Sequence, residues 1–280
     1  MNTLASHIAP LRLRCADGVM YATLDRPDKR NALTDALVAH LHAACDRAAG
    51  DDAVRAFVLR GAGGTFCAGG DVSSFKTLMR THAPAAGEPD PIARYNRQFG
   101  ALLEKLAALP MPTLAVIEGA ALGGGCGLAA ACDHVLMAAD AYCAMPEVTL
   151  GLPPAQIAPF IVARLGATRA RWLMLTGTRL SAAEALHLGL ADETADANAL
   201  DLALQAQLSR LLAAEPAAQR ATKRIVADSL QWGLSPALDA AADAFAAALR
   251  SGAAAEGLAA LADKRAPAWR VAAPRPSEPS

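Results

Sequence analysis

The segment from Thr113 to Glu147 reads TLAVIEGAALGGGCGLAAACDHVLMAADAYCAMPE. It opens with an apolar run, Leu114 to Ile117, that predicts a buried strand. A glycine run at 123–125, with Gly127 close behind, then leads into small residues that favour a tightly packed helix. A strand that passes through glycines into a helix leaves free N–H groups at the positive end of the helix dipole. Such a place binds an anion or a developing oxyanion, and we expect Glu147 to face it.

A second glycine-rich segment, Thr65 to Val72, follows another predicted strand, Val54 to Arg60. Both glycine segments expose backbone N–H groups where side chains are minimal. Two such donors that converge on one carbonyl oxygen would form an oxyanion hole. The residues alone leave a second interpretation open, in which both segments are tight turns that need glycine for positive φ.

A dinucleotide-binding fingerprint also matches this region. Gly125, Gly127 and Ala130 have the required spacing, and Glu147 lies twenty residues beyond Gly127. In that fingerprint the acidic residue ends the second strand of the unit. Pro146 directly precedes Glu147 and is incompatible with the end of a regular strand, so we favour the oxyanion interpretation.

Composition excludes several classes of function. Hydrophobic residues make up 54% of the 280 residues and charged residues 19%, which is typical of a folded globular protein. The net charge of −1 gives no reason to expect nucleic acid or an anionic membrane as a partner. The cysteines lack C-x-x-C spacing and the histidines lack ligand spacing, so we predict buried, reduced thiols and no metal site. No apolar run approaches the roughly 18 residues of a membrane span, and we expect a soluble, cytoplasmic protein.

Strand and helix patterns alternate over the first two-thirds of the chain, and only helix patterns follow. This order predicts an α/β core over 1–195, a helical region over 196–270 and a flexible tail over 271–280. The helical region cannot bury all its apolar faces on itself, so we expect it to pack on the core or on another subunit. The proline-rich stretch from Arg80 to Pro91 predicts a mobile loop and a candidate lid. An amphipathic helix is predicted next, from Asn96 to Leu109.

Two helix starts carry specific capping signals. Thr34 is predicted to cap a helix over Asp35 to Ala49, because its hydroxyl can accept a first-turn N–H. Ser181 and Glu184 have the spacing of a capping box, and Gly189 is predicted to end the short helix that follows.

Taken together, the motifs of this sequence resemble those of a known family, the enoyl-CoA hydratase/isomerase (crotonase) superfamily, over nearly the whole chain. The matching motifs are Leu24-Asp25-Arg26-Pro27, Arg30-Asn31-Ala32-Leu33, Phe66-Cys67-Ala68-Gly69-Gly70-Asp71, Ala121-Leu122-Gly123-Gly124-Gly125-Cys126, Cys132-Asp133, Pro146-Glu147, Leu150-Gly151, Leu175-Thr176-Gly177, Ala182 to Leu190, Glu256-Gly257 and Lys264-Arg265. Together these motifs are highly specific.

The resemblance implies a spiral of ββα units with a C-terminal helical region that assembles trimers, often paired into hexamers. It implies an acyl-CoA thioester as substrate, with coenzyme A as part of that substrate and no separate cofactor or metal. The shared chemistry of the family is stabilisation of a thioester enolate by two backbone N–H groups, and the matching positions here are Gly70 and Gly124.

The resemblance also implies which residues contact coenzyme A. The CoA-binding positions that it indicates are Arg30, Ala32, Ala68, Asp71, Val72, Ser73 and Lys264. Lys264, expected on the last helix, would reach a phosphate in a neighbouring subunit's site. The residues alone offer another role for Asp71, because an aspartate after glycines can hold its own loop through an Asx-type hydrogen bond.

One departure from the family pattern bears on the reaction. Hydratases with two catalytic glutamates carry the first of them at the position of Gly127, and only the second is present, as Glu147. The segment from Pro153 to Pro159 replaces the usual glycine-rich stretch. This combination is similar to the single-glutamate branch that hydrates methylglutaconyl- and isohexenylglutaconyl-CoA, and equally to Δ3,Δ2-enoyl-CoA isomerases.

Three hypotheses follow from these residues. The first is an enoyl-CoA hydratase in which Glu147 works alone, with a pKa raised by apolar surroundings. The second is an isomerase in which Glu147 carries a proton between C2 and C4. The third is a CoA-ester-binding protein that kept the fold and lost the chemistry.

Overall fold

The computed structural model describes residues 5–8, 10–85 and 87–273 of the chain. Within these residues the strands are β1 (Ala5–Ile8), β2 (Leu11–Ala16), β3 (Val19–Leu24), β4 (Ala56–Gly61), β5 (Thr113–Ile117), β6 (Ala120–Leu122), β7 (His134–Ala138), β8 (Tyr142–Ala144), β9 (Leu180–Ser181) and β10 (Glu193–Ala195). The helices are α1 (Asp35–Ala49), α2 (Val72–Leu78), α3 (Pro91–Ala107), α4 (Gly124–Ala130), α5 (Ala158–Thr176), α6 (Ala182–Leu188), α7 (Leu200–Ala213), α8 (Pro216–Gln231), α9 (Leu234–Arg250) and α10 (Ala253–Ala262). Short 3₁₀ turns cover Pro27–Lys29, Pro146–Leu150 and Ala197–Ala199.

The larger sheet has seven strands in the order β1-β2-β3-β4-β5-β7-β10. β1 to β3 pair antiparallel, and all later pairs of this sheet are parallel. β4 and β5 are parallel neighbours, so the chain leaves both strands at the same edge of the sheet. The edge at the carboxyl ends of parallel strands is where α/β folds place ligands. The predicted α/β fold class is confirmed, and both glycine-rich segments begin at this edge.

A second, three-stranded sheet in the order β6-β8-β9 was not predicted. β6 pairs parallel with β8, and β8 pairs antiparallel with β9. Strands of two or three residues contain too few positions for a periodic pattern, so tertiary pairing rather than local sequence defines them. This small sheet joins the start of α4 to the segment that carries Glu147.

Both predicted capping signals are confirmed. The Thr34 hydroxyl accepts the Leu37 N–H at the start of α1, and one face of this helix, which includes Leu37, Leu41 and Ala48, is buried. Ser181 and Glu184 form a complete capping box at the start of α6, which ends at Gly189 with φ +88°. Local hydrogen bonds fix these helix ends, which is why the sequence reveals them.

α3 begins at Pro91 rather than at the predicted Asn96. Asp90 caps it by accepting the Ile92 N–H at 2.7 Å, and proline is well tolerated in a first helical turn because its missing N–H has no partner there. The sequence prediction placed Pro91 in the loop, whereas it is the first residue of α3. The loop therefore lies between the end of α2 at Leu78 and Pro91, and its role as a lid stays a prediction.

The C-terminal part of the chain consists of helices α7 to α10, as the absence of strand patterns predicted. The segment beyond α10 is anchored to the core. The Trp269 indole Nε1 donates to the Ala213 carbonyl at 3.2 Å, and Arg55 donates to the Trp269 carbonyl. The predicted flexible tail, 271–280, falls mainly on residues 274–280, which lie outside the described residues. In the part of the chain that the structure describes, no helix is both long enough and apolar enough to cross a membrane.

Candidate active site

A short parallel bridge joins the two glycine-rich segments. Cys67 and Ala121 pair, with the Cys67 N–H donating to the Ala120 carbonyl at 3.0 Å and the Leu122 N–H to the Cys67 carbonyl at 2.8 Å. Gly70 and Gly124 each lie three residues beyond this pair, so the bridge brings them together. We call Gly69 and Gly70 the loop glycines and Gly123 to Gly127 the helix glycines.

Side chains would not fit between the two segments. A Cβ on Gly69 would lie 2.9 Å from the Leu122 carbonyl oxygen, and one on Gly125 would lie 2.7 Å from the Cys67 carbonyl oxygen. The close approach of two backbones therefore requires glycine at both positions, in addition to the positive φ of Gly69.

The N–H groups of Gly70 and Gly124 are available to a ligand. Gly124 is the first residue of α4, where helical geometry offers no acceptor, and neither N–H has a hydrogen-bond partner within the described residues. The residues on both sides of Gly70 are hydrogen-bonded to Leu33. The Leu33 N–H donates to the Gly69 carbonyl, and the Asp71 N–H donates to the Leu33 carbonyl. The two donors have the character that an oxyanion hole needs.

Glu147 lies beside the helix glycines. It occupies the 3₁₀ turn after β8, and its Oε1 is so close to Gly123 that a Cβ there would lie 2.7 Å away. Gly123 has φ +49° and ψ −113°, a conformation that side chains disfavour. Backbone conformation and the carboxylate therefore both require glycine at this position.

The Glu147 carboxyl is half-buried and poorly solvated. Its Oε2 is buried and has no hydrogen-bond partner among the described residues. Burial raises the pKa of Glu147 above the ordinary value of 4.5, because a low-dielectric environment disfavours the charged form. A carboxyl with a raised pKa is suited to exchanging protons with a substrate.

The position that would carry a second glutamate is filled by apolar side chains. Gly127 is buried within α4, and a Cβ on it would overlap the Ile157 side chain and lie 3.3 Å from Leu103. Ile157 belongs to the segment that departs from the family pattern. The exchange of Gly127 for glutamate is therefore blocked unless Ile157 moves.

Apolar side chains also line the approach to both donors. A Cβ on Gly124 would lie 2.7 Å from Leu33 and 3.2 Å from the Phe99 ring, and one on Gly70 would overlap the Phe75 ring. These contacts place Leu33 and Phe99 beside Gly124 and Phe75 beside Gly70. Their side chains form an apolar wall next to the donors.

The structure brings together most of the residues predicted to bind coenzyme A. The Ala68 N–H donates to the Arg30 carbonyl at 2.9 Å, so the loop with Arg30 and Ala32 lies against the second glycine-rich segment. Val72 and Ser73 form the first turn of α2, and both are exposed. No ligand contact tests these assignments, and they stay predictions.

Asp71 is occupied by contacts within the protein. Its Oδ1 accepts the Ser73 N–H at 3.0 Å and the Ser73 hydroxyl at 2.5 Å, which caps α2. These two hydrogen bonds, with a smaller contribution from Arg26, lower the pKa of Asp71. These contacts therefore support the loop-holding role that the residues alone suggested for Asp71.

Lys264 is the second residue after the end of α10 and does not lie on the helix, where we expected it. It has φ +52°, and its N–H donates to the Leu261 carbonyl while the Arg265 N–H donates to Ala260, the pattern of a Schellman cap. Its side chain is exposed. The predicted contact with a neighbouring subunit's ligand remains a prediction.

Asn31 and Arg26 contribute to the site in ways that the sequence reasoning missed. The buried Asn31 amide donates to the carbonyls of Ala62 and Thr65, and its Oδ1 accepts the Arg26 N–H at 2.8 Å. Asn31 also has φ +56°, a conformation that asparagine tolerates better than most residues. An asparagine in a basic loop is the signal that could have indicated this role.

Comparison with known proteins identifies the family. A family model described as enoyl-CoA hydratase/isomerase matches residues 14–272. The chain belongs to this family. It is accordingly an enzyme of the enoyl-CoA hydratase or isomerase type, and its fold is the α/β crotonase fold with C-terminal helices.

Individual relatives agree with this assignment over most of their length. The structure of an enoyl-CoA hydratase/isomerase from Marinobacter aquaeolei is similar with a TM-score of 0.89 and 39% identity, covering 94% of this chain and 100% of that one. Pseudomonas aeruginosa AtuE has a TM-score of 0.88 and 43% identity, with 93% and 99% covered. The enoyl-CoA isomerase/hydratase fer4 of Mycosarcoma maydis is 32% identical over 263 residues, which are 89% of this chain and 92% of fer4.

No group of three or more His, Cys, Asp or Glu side chains that could hold a metal ion occurs in the described residues. That the reaction relies on backbone donors and a carboxylate, with coenzyme A only as part of the substrate, is implied by the family resemblance and stays a prediction.

Proposed function

We propose that this protein adds water across the 2,3 double bond of an enoyl-CoA thioester, with Glu147 as its single catalytic carboxylate. The observation that carries the proposal is the half-buried Glu147 carboxyl next to Gly123, together with the N–H groups of Gly70 and Gly124. In the described part of the chain, neither Glu147 Oε2 nor these two N–H groups have a hydrogen-bond partner. This combination supplies an oxyanion hole and a proton-transfer group next to one another.

The chemistry proceeds through an enolate. The two N–H groups hold the thioester oxygen and draw electron density from Cβ, and the oxygen of a water molecule bonds to Cβ. Glu147 accepts a proton from that water, while negative charge develops on the thioester oxygen. The enolate then collapses as Cα takes the proton from Glu147, so that H and OH have been added across the double bond. Loss of one oxyanion donor typically costs about 3 kcal/mol of transition-state stabilisation.

The filled space at Gly127 supports a mechanism with one carboxylate. A second glutamate cannot enter while Ile157 occupies this position. We further propose that the substrate is a branched, glutaconyl-type ester, whose own second carboxylate helps to orient the water. Ile157 is preceded by Gln156, whose amide donates to Asn96 at 2.8 Å, three residues before Phe99 on α3. The proposal of a substrate with a polar end rests on this polar pair and on the family resemblance, since Arg97 pairs with Glu104 at 2.7 Å.

A Δ3,Δ2-enoyl-CoA isomerase is the second candidate. In that reaction Glu147 removes a proton from C2 of a 3-enoyl ester and returns it at C4. One base is sufficient for this exchange. A single catalytic carboxylate is therefore compatible with isomerisation as well as with hydration. The two reactions share the oxyanion hole and differ in whether water is consumed.

The deciding experiment offers straight, branched and carboxylated 2-enoyl- and 3-enoyl-CoA esters to the protein and to Glu147→Gln. Formation of a 3-hydroxyacyl product from a 2-enoyl ester, lost by roughly 10²–10⁴-fold in Glu147→Gln, would support hydration. Migration of the double bond without a hydroxyacyl product would support isomerisation instead. Hydration that persists in Glu147→Gln would overturn the role of this residue, and tight binding of all esters without turnover would revive the non-catalytic hypothesis.

We also propose that α9 and α10 assemble the protein into homotrimers, or into hexamers of paired trimers. Leu234, Leu238, Phe245 and Leu249 follow one face of α9 and are 55–78% exposed, and Leu258 and Leu261 on α10 are 65% and 76% exposed. An apolar stripe of this kind is typical of a protein–protein interface. Light scattering of Phe245→Lys tests it, with Asp243→Lys on a different face of the same helix as control. Dissociation in the first variant only is expected, and an unchanged mass in both would refute the interface.

A further inference from the structure

The direction of the Gly70 N–H is fixed by a contact on the opposite side of its peptide. The N–H of Gly70 and the carbonyl of Gly69 belong to one planar peptide unit, and in a trans unit they point in opposite directions. The Leu33 N–H donates to that Gly69 carbonyl at 2.8 Å. Leu33 therefore aims the Gly70 N–H away from itself.

The loop that carries Leu33 is strained. Arg30 and Asn31 have φ values of +49° and +56°, and a left-handed conformation costs a non-glycine residue about 1–2 kcal/mol. Two adjacent residues in this conformation persist only where surrounding contacts hold them. The direction of the Gly70 N–H thus depends on whatever holds this loop against the second glycine-rich segment.

The Arg26 side chain contacts both sides of that junction. Its Nη1 donates to the Ala32 carbonyl at 2.5 Å, directly before Leu33, and its guanidinium lies 3.5 Å from Asp71 Oδ2, directly after Gly70. The Arg26 and Asp71 side chains are only 20% and 17% exposed, so solvent screens this ion pair weakly. The planar fork of arginine can serve a carbonyl and a carboxylate at once, whereas the single ammonium group of lysine cannot match that geometry.

We propose that Arg26 is a positioning residue that sets the direction of the Gly70 N–H by holding Ala32 and Asp71 on the two sides of the Leu33–Gly70 bridge. Arg26 acts through the backbone, since its guanidinium is engaged by protein groups. The inference rests on the proposed function in one respect, which is that Gly70 binds the thioester oxygen. It predicts that Arg26 contributes to stabilisation of the enolate more than to affinity for coenzyme A.

The test uses acetoacetyl-CoA, a β-ketothioester that loses its C2 proton to give an enolate with a distinct near-ultraviolet absorbance. The full-length protein, Arg26→Lys and Arg26→Gln are compared for the enolate fraction of bound acetoacetyl-CoA as a function of pH. Steady-state kcat and KM are measured with the ester that the parent protein turns over. Arg164→Lys is the matched control, because Arg164 also binds a carboxylate, Asp192, and a carbonyl, that of Cys132, with a side chain only 12% exposed.

We expect Arg26→Lys to lower kcat by about tenfold and Arg26→Gln to lower it further. Both losses should be smaller than the loss caused by removing an oxyanion donor outright. KM should change less than about threefold, and the bound enolate should form only at higher pH. Arg164→Lys should lower the melting temperature and leave the enolate titration unchanged. An Arg26→Lys variant with the parental enolate titration overturns the proposal, and so does an equal shift in Arg164→Lys. If the parent protein itself forms no bound enolate, the proposed function fails rather than the role of Arg26.

Discussion

The loop glycines and the helix glycines are proposed to perform the same task, but they are held in different ways. Gly124 is the first residue of α4, so its N–H is free and directed by the geometry of the helix that it begins. Gly70 has no helix of its own, and its N–H is directed by Leu33, which lies 37 positions earlier in the chain. One donor is thus set by local structure and the other by contacts between distant segments.

This difference shows where each donor is vulnerable. The helix glycines are surrounded by neighbours that leave no room for a side chain, namely the Glu147 carboxylate at Gly123, Cys67 at Gly125 and Ile157 at Gly127. Changes there should act through steric overlap. By the proposal above, the N–H of Gly70 depends on a strained loop and on Arg26, so changes in that loop or at Arg26 should act by removing the support of a distant segment.

The largest effect is expected from Gly123→Ala. The new methyl group would lie 2.7 Å from Glu147 Oε1 and would strain the backbone, so we expect kcat to fall by about 10²-fold or more. Gly64→Ala is the control for backbone strain alone, because Gly64 has φ +67° and open space at its Cβ. It should cost about 1 kcal/mol of stability and leave kcat within about twofold. A similar loss of kcat in both variants would contradict the contact with Glu147.

A smaller effect is expected from Gly127→Ala, which tests the packing of the helix glycines without touching the donors. Overlap with Ile157 should reduce the free energy of unfolding by about 1–3 kcal/mol, measured by urea denaturation. In an Ile157→Ala background the same change should be neutral or stabilising, since alanine is the better helix former. Additive losses in the double variant would show that Ile157 does not occupy this space.

The smallest effect is expected from Glu147→Gln on stability. The raised pKa means that the folded protein disfavours the ionised carboxyl, so this group destabilises the protein progressively as pH rises above 4.5, and fully once pH exceeds the folded-state pKa. Glutamine removes that penalty, and we expect a gain of about 1 kcal/mol at pH 7 that disappears near pH 4. Melting temperatures at both pH values check this, with the exposed Glu88→Gln as control. A lower melting temperature of Glu147→Gln at pH 7 would contradict the burial of an unpartnered carboxylate.

Several features of the site were predictable because they depend on local sequence. The glycine run before small residues indicated a helix start with free N–H groups, and the resemblance to a known family indicated Gly70 as the second donor position. The caps at Thr34 and Ser181 were predicted for the same reason, since their hydrogen bonds span only three residues. The family resemblance also indicated that Gly127 replaces a glutamate, but not what fills the space.

Other features were not predictable because they depend on pairs of distant segments. The small sheet formed by β6, β8 and β9 consists of strands of two or three residues that no periodic pattern could reveal. The start of α3 at Pro91 was missed because proline was taken as a loop residue. The proposed role of Arg26 depends on its contacts with both Ala32 and Asp71, which are 39 positions apart in the chain.

By itself, the sequence determined the α/β fold class, the helical C-terminal region, the position of the helix glycines and the single candidate carboxylate, Glu147. Periodicity, capping and glycine placement are local properties, and a chain displays them in its order of residues. Only the tertiary structure decided that Ile157 closes the space at Gly127, that Glu147 is half-buried next to Gly123, and that Leu33 aims the Gly70 N–H. These facts are distances between segments brought together by the pairing of β4 with β5 and of Cys67 with Ala121, which exist only once the chain has folded.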